Sequence, residues 1–146
     1  MLLDGGRAGS KRILKSETIK EMSHNQIGTL NLVDLRSSMP QVARDPVSIP
    51  GLDKFGLGFA INTKPFEDGR SAGSLAWAGI YSTFFWIDPP RKTCAVIMMQ
   101  ILPFGDDATN TVGCAVQRKV NIAEPMAAKA LSVSKSIWRC TTRSRA

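Results

Sequence analysis

Two facing strands joined by a proline turn constrain this chain more than any other feature. Tyr81, Thr83, Phe85 and Ile87 alternate with Ser82, Phe84 and Trp86, and β-branched and aromatic residues suit a pleated surface. Asp88-Pro89-Pro90 then stops the strand, because proline fixes its own φ, lacks an N–H and drives the residue before it out of the helical region. With Arg91 and Lys92 it makes a turn, and Thr93 to Leu102 returns as the antiparallel partner. The run Cys94-Ala95-Val96-Ile97-Met98-Met99 has no polar alternation, so a strand covered on both faces is expected.

Punctuation organises the rest. Ser16 is expected to cap a short helix through Met22, ended by His24 and Asn25. Residues 31–53 carry Pro40, Pro46 and Pro50 and read as a surface loop with at most a brief strand. Lys54 to Thr63 reads as one strand and Lys64 to Gly73 as a polar connection. Asp106 or Asp107 caps a last helix, along which Val112, Ala115, Val116 and Val120 share a face. No internal repeat or low-complexity block is present. The fold class expected is α+β, an antiparallel sheet with helices packed on a face.

Composition excludes several classes. At 146 residues and 43% hydrophobic content, the chain is large enough for one core. Asp4 follows Met1-Leu2-Leu3 at once, so no signal peptide is expected, and no apolar run approaches the ~20 residues of a membrane span. The compartment stays unknown, and nothing beyond the cytoplasm is indicated. Residues 118–146 hold seven Lys and Arg against Glu124 alone, which is +6 of the chain's +7. These cations are scattered among Ser, Ala and Thr with the single aromatic Trp138, and no nucleic-acid motif accompanies them. Specific nucleic-acid binding is therefore not expected.

Four tempting sites fail on context. Gly69-Arg70-Ser71-Ala72-Gly73 matches the nucleophile elbow Gly-x-Ser-x-Gly, but that elbow needs an apolar strand before it, a helix after it and a later histidine. Phe66-Glu67-Asp68 precedes it, a strand follows, and the only histidine, His24, lies upstream and reads as solvated. Ser132-Val133-Ser134-Lys135 matches Ser-x-x-Lys by chance in the basic tail. Cys94, Cys114 and Cys140 have no paired spacing and an odd count, and read as buried or incidental thiols with no case for metal or disulfides. Phe84, Phe85 and Trp86 are expected to make core rather than a ligand platform.

Phe55-Gly56-Leu57-Gly58-Phe59, then Trp77-Ala78-Gly79, Phe85-Trp86-Ile87-Asp88-Pro89 and Met99-Gln100 resemble, in order, the β-lactamase-related serine hydrolases. That family comprises class C β-lactamases, penicillin-binding proteins and related esterases. Leu2-Leu3-Asp4-Gly5-Gly6, Lys11-Arg12-Ile13-Leu14-Lys15-Ser16 and Met22 are similar to the family segment before its FGLGF strand. The resemblance covers about residues 1–120 and corresponds only to the C-terminal third of a complete member. It implies that 1–120 is the C-terminal portion of such a domain and that 121–146 is a basic tail outside the fold.

The resemblance implies one wall of a site. Members use a Ser-x-x-Lys nucleophile pair, a catalytic Tyr motif, and a third motif of the Lys-Thr-Gly or Trp-x-Gly kind. Only the third is matched here, by Trp77, Ala78 and Gly79, and the backbone N–H of Ile80 would be half of the oxyanion hole. A fixed N–H aimed at a developing oxyanion contributes roughly 3 kcal/mol. Trp77 in place of lysine favours an apolar ester or amide over a β-lactam carboxylate. Tyr81 is in the wrong context for the catalytic Tyr and is expected to pack in the hairpin. The implied substrate is a small-molecule ester, amide or lactam, acted on without cofactor or metal, and the chain by itself would be inactive. The alternative is a non-catalytic binding or structural fragment whose basic tail meets an acidic partner. A strand normally paired to an N-terminal portion would leave an edge open to association.

If residues 121–146 lie outside the fold, limited trypsin digestion cuts at Lys129, Lys135 and Arg139 well before Arg91. Equal protection of all four bonds in a time course contradicts that reading.

Overall fold

A computed structural model describes residues 1–33, 36–45, 52–66 and 69–122. The hairpin read from the sequence forms one end of its sheet. Five antiparallel strands lie in the order of the chain: β3 (Leu52–Phe55), β4 (Ala60–Asn62), β5 (Leu75–Gly79), β6 (Thr83–Asp88) and β7 (Thr93–Ile97). Before them come a 3-10 turn at Leu2–Asp4, a ribbon of β1 (Arg7–Ala8) and β2 (Lys11–Arg12), and the helix α1 (Ser16–Met22). The helix α2 (Asp107–Ile122) closes the described part. This is the expected α+β architecture.

Register divides the sheet into two faces. Leu75 pairs with Ile61 and Ile87, and these three with Phe59 form the buried cluster against which Leu2, Leu3, Met22 and Phe85 pack. The N-terminal turn and α1 therefore cover this face, leaving a cavity of about 180 Å³ lined by Leu2, Ile19, Leu75, Ile87 and Pro89 among others. On the opposite face Ala60, Ala76, Trp86 and Ala95 form one cross-strand row. Trp86 is 3% exposed, and the small alanines beside it leave room for the indole, while α2 packs on the neighbouring β7. Asp106 caps α2 as expected, its Oδ1 accepting from the Ala108 N–H at 2.9 Å.

The structure corrects several local expectations. Lys54 to Thr63 is not one strand: Gly56 and Gly58 break it into the β3–β4 hairpin, with Gly58 at φ 93°. Gly56 is required by packing, since a Cβ there would lie 2.2 Å from the Met22 carbonyl oxygen. Ser16 is the first helical residue rather than the cap; Lys15 holds the cap position and Ser16 Oγ donates to Glu17 Oε1. Strand β6 begins only at Thr83, and Ile80, Tyr81 and Ser82 are a three-residue turn. Tyr81 is accordingly 54% exposed and not packed in the hairpin. Strand β7 ends at Ile97 rather than Leu102 and is covered on one face only, with Val96 and Met98 at 66% and 85% exposure. Cys94 and Cys114 are exposed, not buried. Val112 points partly to solvent, and the α2 side chain most fully buried is Thr109.

Asp88 ties three segments at the end of β6. Its Oδ2 accepts from the Ser71 N–H at 2.8 Å and its Oδ1 from the Arg91 N–H at 3.2 Å. One buried carboxylate thereby fixes the loop entering β5 and the turn into β7. Arg70, 5% exposed, lies over the Phe66 ring at 5.0 Å. Burial pulls its guanidinium down to about 10 while Asp88 opposes the shift. It stays charged at neutral pH, and the buried Asp88 carboxylate is near enough to offset part of the cost of burying it.

Losses of different origin are expected at these neighbours. Asp88→Ala strips two N–H groups of their acceptor and lowers stability by about 3 kcal/mol. Arg70→Met keeps the packing on Phe66 but leaves the buried Asp88 carboxylate without its cation, and lowers stability as well. Urea unfolding of both variants checks the pair, and an Arg70→Met variant as stable as the wild-type chain contradicts it.

Candidate functional site

The Trp77-Ala78-Gly79 segment lies at the end of β5, where the strand is paired on one side only. Strand β4 meets β5 at Leu75 and Ala76 and goes no further, whereas β6 pairs with β5 up to Gly79 opposite Thr83. Among the described residues, Trp77, Ala78 and Gly79 therefore have no strand neighbour on the β4 side. The bared length is about three residues, enough for a short extended group to lie beside the backbone.

The turn that follows is held firmly. Ser82 N–H donates to the Gly79 carbonyl at 3.0 Å, and Ser82 has φ 62°, the left-handed residue that closes a three-residue hairpin loop. Ser82 is fully buried, and its hydroxyl donates to the Ile101 carbonyl at 3.3 Å. Thr83 Oγ1 donates to the Met99 carbonyl at 3.1 Å, and Ile101 N–H to the Tyr81 carbonyl at 3.2 Å. Residues 99–101 thus brace the turn from behind. No acceptor among the described residues engages the Ile80 N–H.

Apolar side chains surround this edge. Trp77 stands edge-on to Phe55, ring centroids 5.1 Å apart at 85°, and remains 42% exposed. Ile80, Leu57 and Tyr81 are exposed as well. Sequence reasoning missed Phe55 as the support of the Trp77 ring. The pairing had no local signal, since it depends on the β3–β4 turn that was read as continuous strand.

Gly79 is informative because nothing among the described residues demands it. A Cβ there would meet only Thr83 Cβ and the Thr83 carbonyl oxygen, both at 3.9 Å, which is ordinary contact, and its φ is not positive.

The other candidates are not brought to this edge. His24 is exposed at the end of α1. The Gly69 to Gly73 segment is a turn leading into β5, with Gly73 N–H on the Asn62 carbonyl and Ser74 N–H on the Ser71 carbonyl, so it lacks the helix that an elbow requires. Ser132, Lys135 and Cys140 lie outside the described residues. Among the described residues no cluster of His, Cys, Asp and Glu is arranged to hold a metal, and no helix is long and apolar enough to cross a membrane.

No protein-family model and no curated protein matches the sequence. Solved structures do match the fold. Unliganded selenomethionyl simvastatin synthase (LovD) from Aspergillus terreus superposes with a TM-score of 0.64 at 18% identity, over 82% of this chain and 31% of that one. The LovD9 mutant of the same enzyme gives 0.63 at 20% identity, over 82% and 31%. The chain has the C-terminal portion of the β-lactamase-like fold seen in LovD. It spans about a third of the length of the structures it matches.

Two glycine substitutions separate packing from any other use. Gly79→Ala changes stability by less than about 1 kcal/mol, in the stabilising direction if at all. Gly56→Ala, driven into the Met22 carbonyl, costs more than about 2 kcal/mol. Thermal melts of the two variants check the contrast.

Proposed function

We propose that this chain supplies one wall of a serine-hydrolase or acyltransferase site. The Ile80 N–H acts as one oxyanion donor, and the exposed edge from Trp77 to Gly79 seats the acyl part of an ester or amide. The observation that carries this reading is a bare β5 edge ending in an unengaged N–H, beside a glycine that the fold itself does not need. An acyl carbon lying along that edge requires a close approach to the backbone, and a side chain on residue 79 would stand in its way. The donor is held in place before reaction by the braced turn, which is what makes such a donor effective. Fold similarity to a synthase supports the same reading.

The wall is apolar. Trp77, Phe55 and Ile80 offer aromatic and aliphatic surface, which favours an apolar acyl group over a charged one. A nucleophile and a base have to come from elsewhere: neither Ser71 nor His24 reaches the edge in a usable arrangement. The serine ester would form on a nucleophile outside this chain, with water or an alcohol taking the acyl group afterwards.

The chain alone therefore leaves a short-chain nitrophenyl ester and a chromogenic cephalosporin untouched, and a fluorophosphonate labels none of its serines by intact mass. Joined to the N-terminal portion of a β-lactamase-fold esterase it yields ester turnover, and Gly79→Val lowers that turnover on the order of 100-fold with no change in melting. Fluorophosphonate labelling at Ser71 or Ser132 of the isolated chain overturns the assignment. So does turnover indifferent to Gly79→Val.

A further inference from the structure

The sheet face that carries Trp86 ends in a polar row. Alternation from Ile61, Leu75 and Ile87 turns Asn62, Ser74 and Asp88 toward that face, and Thr93 follows as the register partner of Asp88. Asn62 N–H donates to the Ser74 carbonyl at 2.9 Å, and extending the Leu75–Ile87 register by one pair sets Ser74 opposite Asp88. Asn62, Ser74 and Asp88 are fully buried. Ser74 precedes β5 and Gly79 ends it, roughly 17 Å apart along the strand, so the row is separate from the Trp77–Gly79 edge.

Buried polar atoms without a hydrogen-bond partner gather here. They are both amide atoms of Asn62, Ser74 Oγ, Thr93 Oγ1 and, one row along, Trp86 Nε1. The sixth is Arg70 Nε, on the residue next to Ser71, whose N–H the Asp88 carboxylate holds. Among the described residues every such atom belongs to this group. A buried polar atom left without a partner is costly, and six gathered at one end of a sheet can share one remedy. Directly opposed side chains on a sheet have Cβ atoms about 4.5–5.5 Å apart. That separation suits two hydrogen bonds of about 2.8 Å through one small bridging molecule.

We infer that this row is an internal hydration site, in which about two ordered waters bridge Asn62, Ser74, Asp88 and Thr93. The inventory of donors and acceptors chooses water over an ion. Trp86 Nε1, Arg70 Nε and the Asn62 amide nitrogen only donate, the Asn62 amide oxygen and the Asp88 carboxylate only accept, and the two hydroxyls do either. A cation would meet the donors, a guanidinium among them, and an anion would meet the carboxylate inside the row. Water serves both kinds of group. Six atoms at about three bonds per buried water give about two waters. Each Asp88 oxygen already holds one backbone N–H and keeps a lone pair for another donor. The waters thereby extend the Asp88 tie from the loop before β5 and the turn into β7 across to β4.

The intact chain is tested by oxygen-17 water relaxation dispersion, which counts waters held longer than the protein takes to tumble. Water-to-protein cross-relaxation at the Trp86 indole N–H, assigned by its loss in Trp86→Phe, locates them. The wild-type chain shows a low-frequency excess equal to about two waters, and the indole cross-peak carries the sign of a long-lived water. Asn62→Leu removes two of the six atoms and roughly halves the excess. Ser74→Ala removes one, lowers the excess by less, and carries the test alone if Asn62→Leu does not fold. An excess near zero, an excess unchanged in the folded variants, or an indole without the cross-peak overturns the proposal. So does an excess that chloride or ammonium titrates away, since an ion then takes the site.

Discussion

The five-pair ladder between β5 and β6 holds the rest of the structure in place. It joins Leu75 to Ile87 at one end and Gly79 to Thr83 at the other, and each strand sends side chains alternately to the two covered faces. Shifting this ladder by one residue would move Leu75, Ile87 and Phe85 out of the cluster under α1 and expose Trp86. The register is therefore fixed from both sides. Both ends are pinned as well, by the Asp88 carboxylate at one and by the buried Ser82 turn with residues 99–101 at the other.

The neighbouring β6–β7 hairpin was the legible part of the sequence. The strands around Phe85 to Ile87 and Thr93 to Ile97, the Asp88-Pro89-Pro90 stop and the Asp106 cap all announce themselves through alternation, proline and a side-chain oxygen ahead of a helix. The three-residue turn at Ile80-Tyr81-Ser82 does not, because its left-handed residue is a serine and no Gly, Asn or Pro marks it. The bare β5 edge was hidden for a related reason. It exists because β4 is only three residues long, and that shortness follows from the Gly56 to Phe59 turn inside a segment whose apolar content reads as continuous strand. Gly56 and Gly79 look alike in sequence; only the Met22 carbonyl pressed against one, and no more than ordinary contact with Thr83 beside the other, tells them apart.

Coverage of β7 failed as an expectation for a physical reason. A run without polar alternation reports that a strand is suited to burial on both faces, not that the chain contains the material to bury it. Thr93, Ala95 and Ile97 are half-buried toward α2, while Cys94, Val96 and Met98 have nothing over them among the described residues. The same distinction applies to the α1 side, where Leu75 and Ile87 are buried yet line an apolar cavity.

Two stretches of unpaired strand edge thus coexist, and their lengths and neighbours give them different chemistry. The edge at Trp77 to Gly79 is about three residues long and ends in a tight turn, so it offers few backbone partners to a full strand and suits a short group. The edge of β7, Thr93 to Ile97, is five residues long, uncharged and flanked by the exposed Cys94 and Val96, so a short ligand would leave much of its backbone unsatisfied and a strand is the matching partner. Unpaired amides are costly in both places. What distinguishes a ligand-binding edge from a strand-pairing edge here is how much backbone the neighbouring turn leaves open, and that length is set by glycines and buried hydroxyls outside the edge itself.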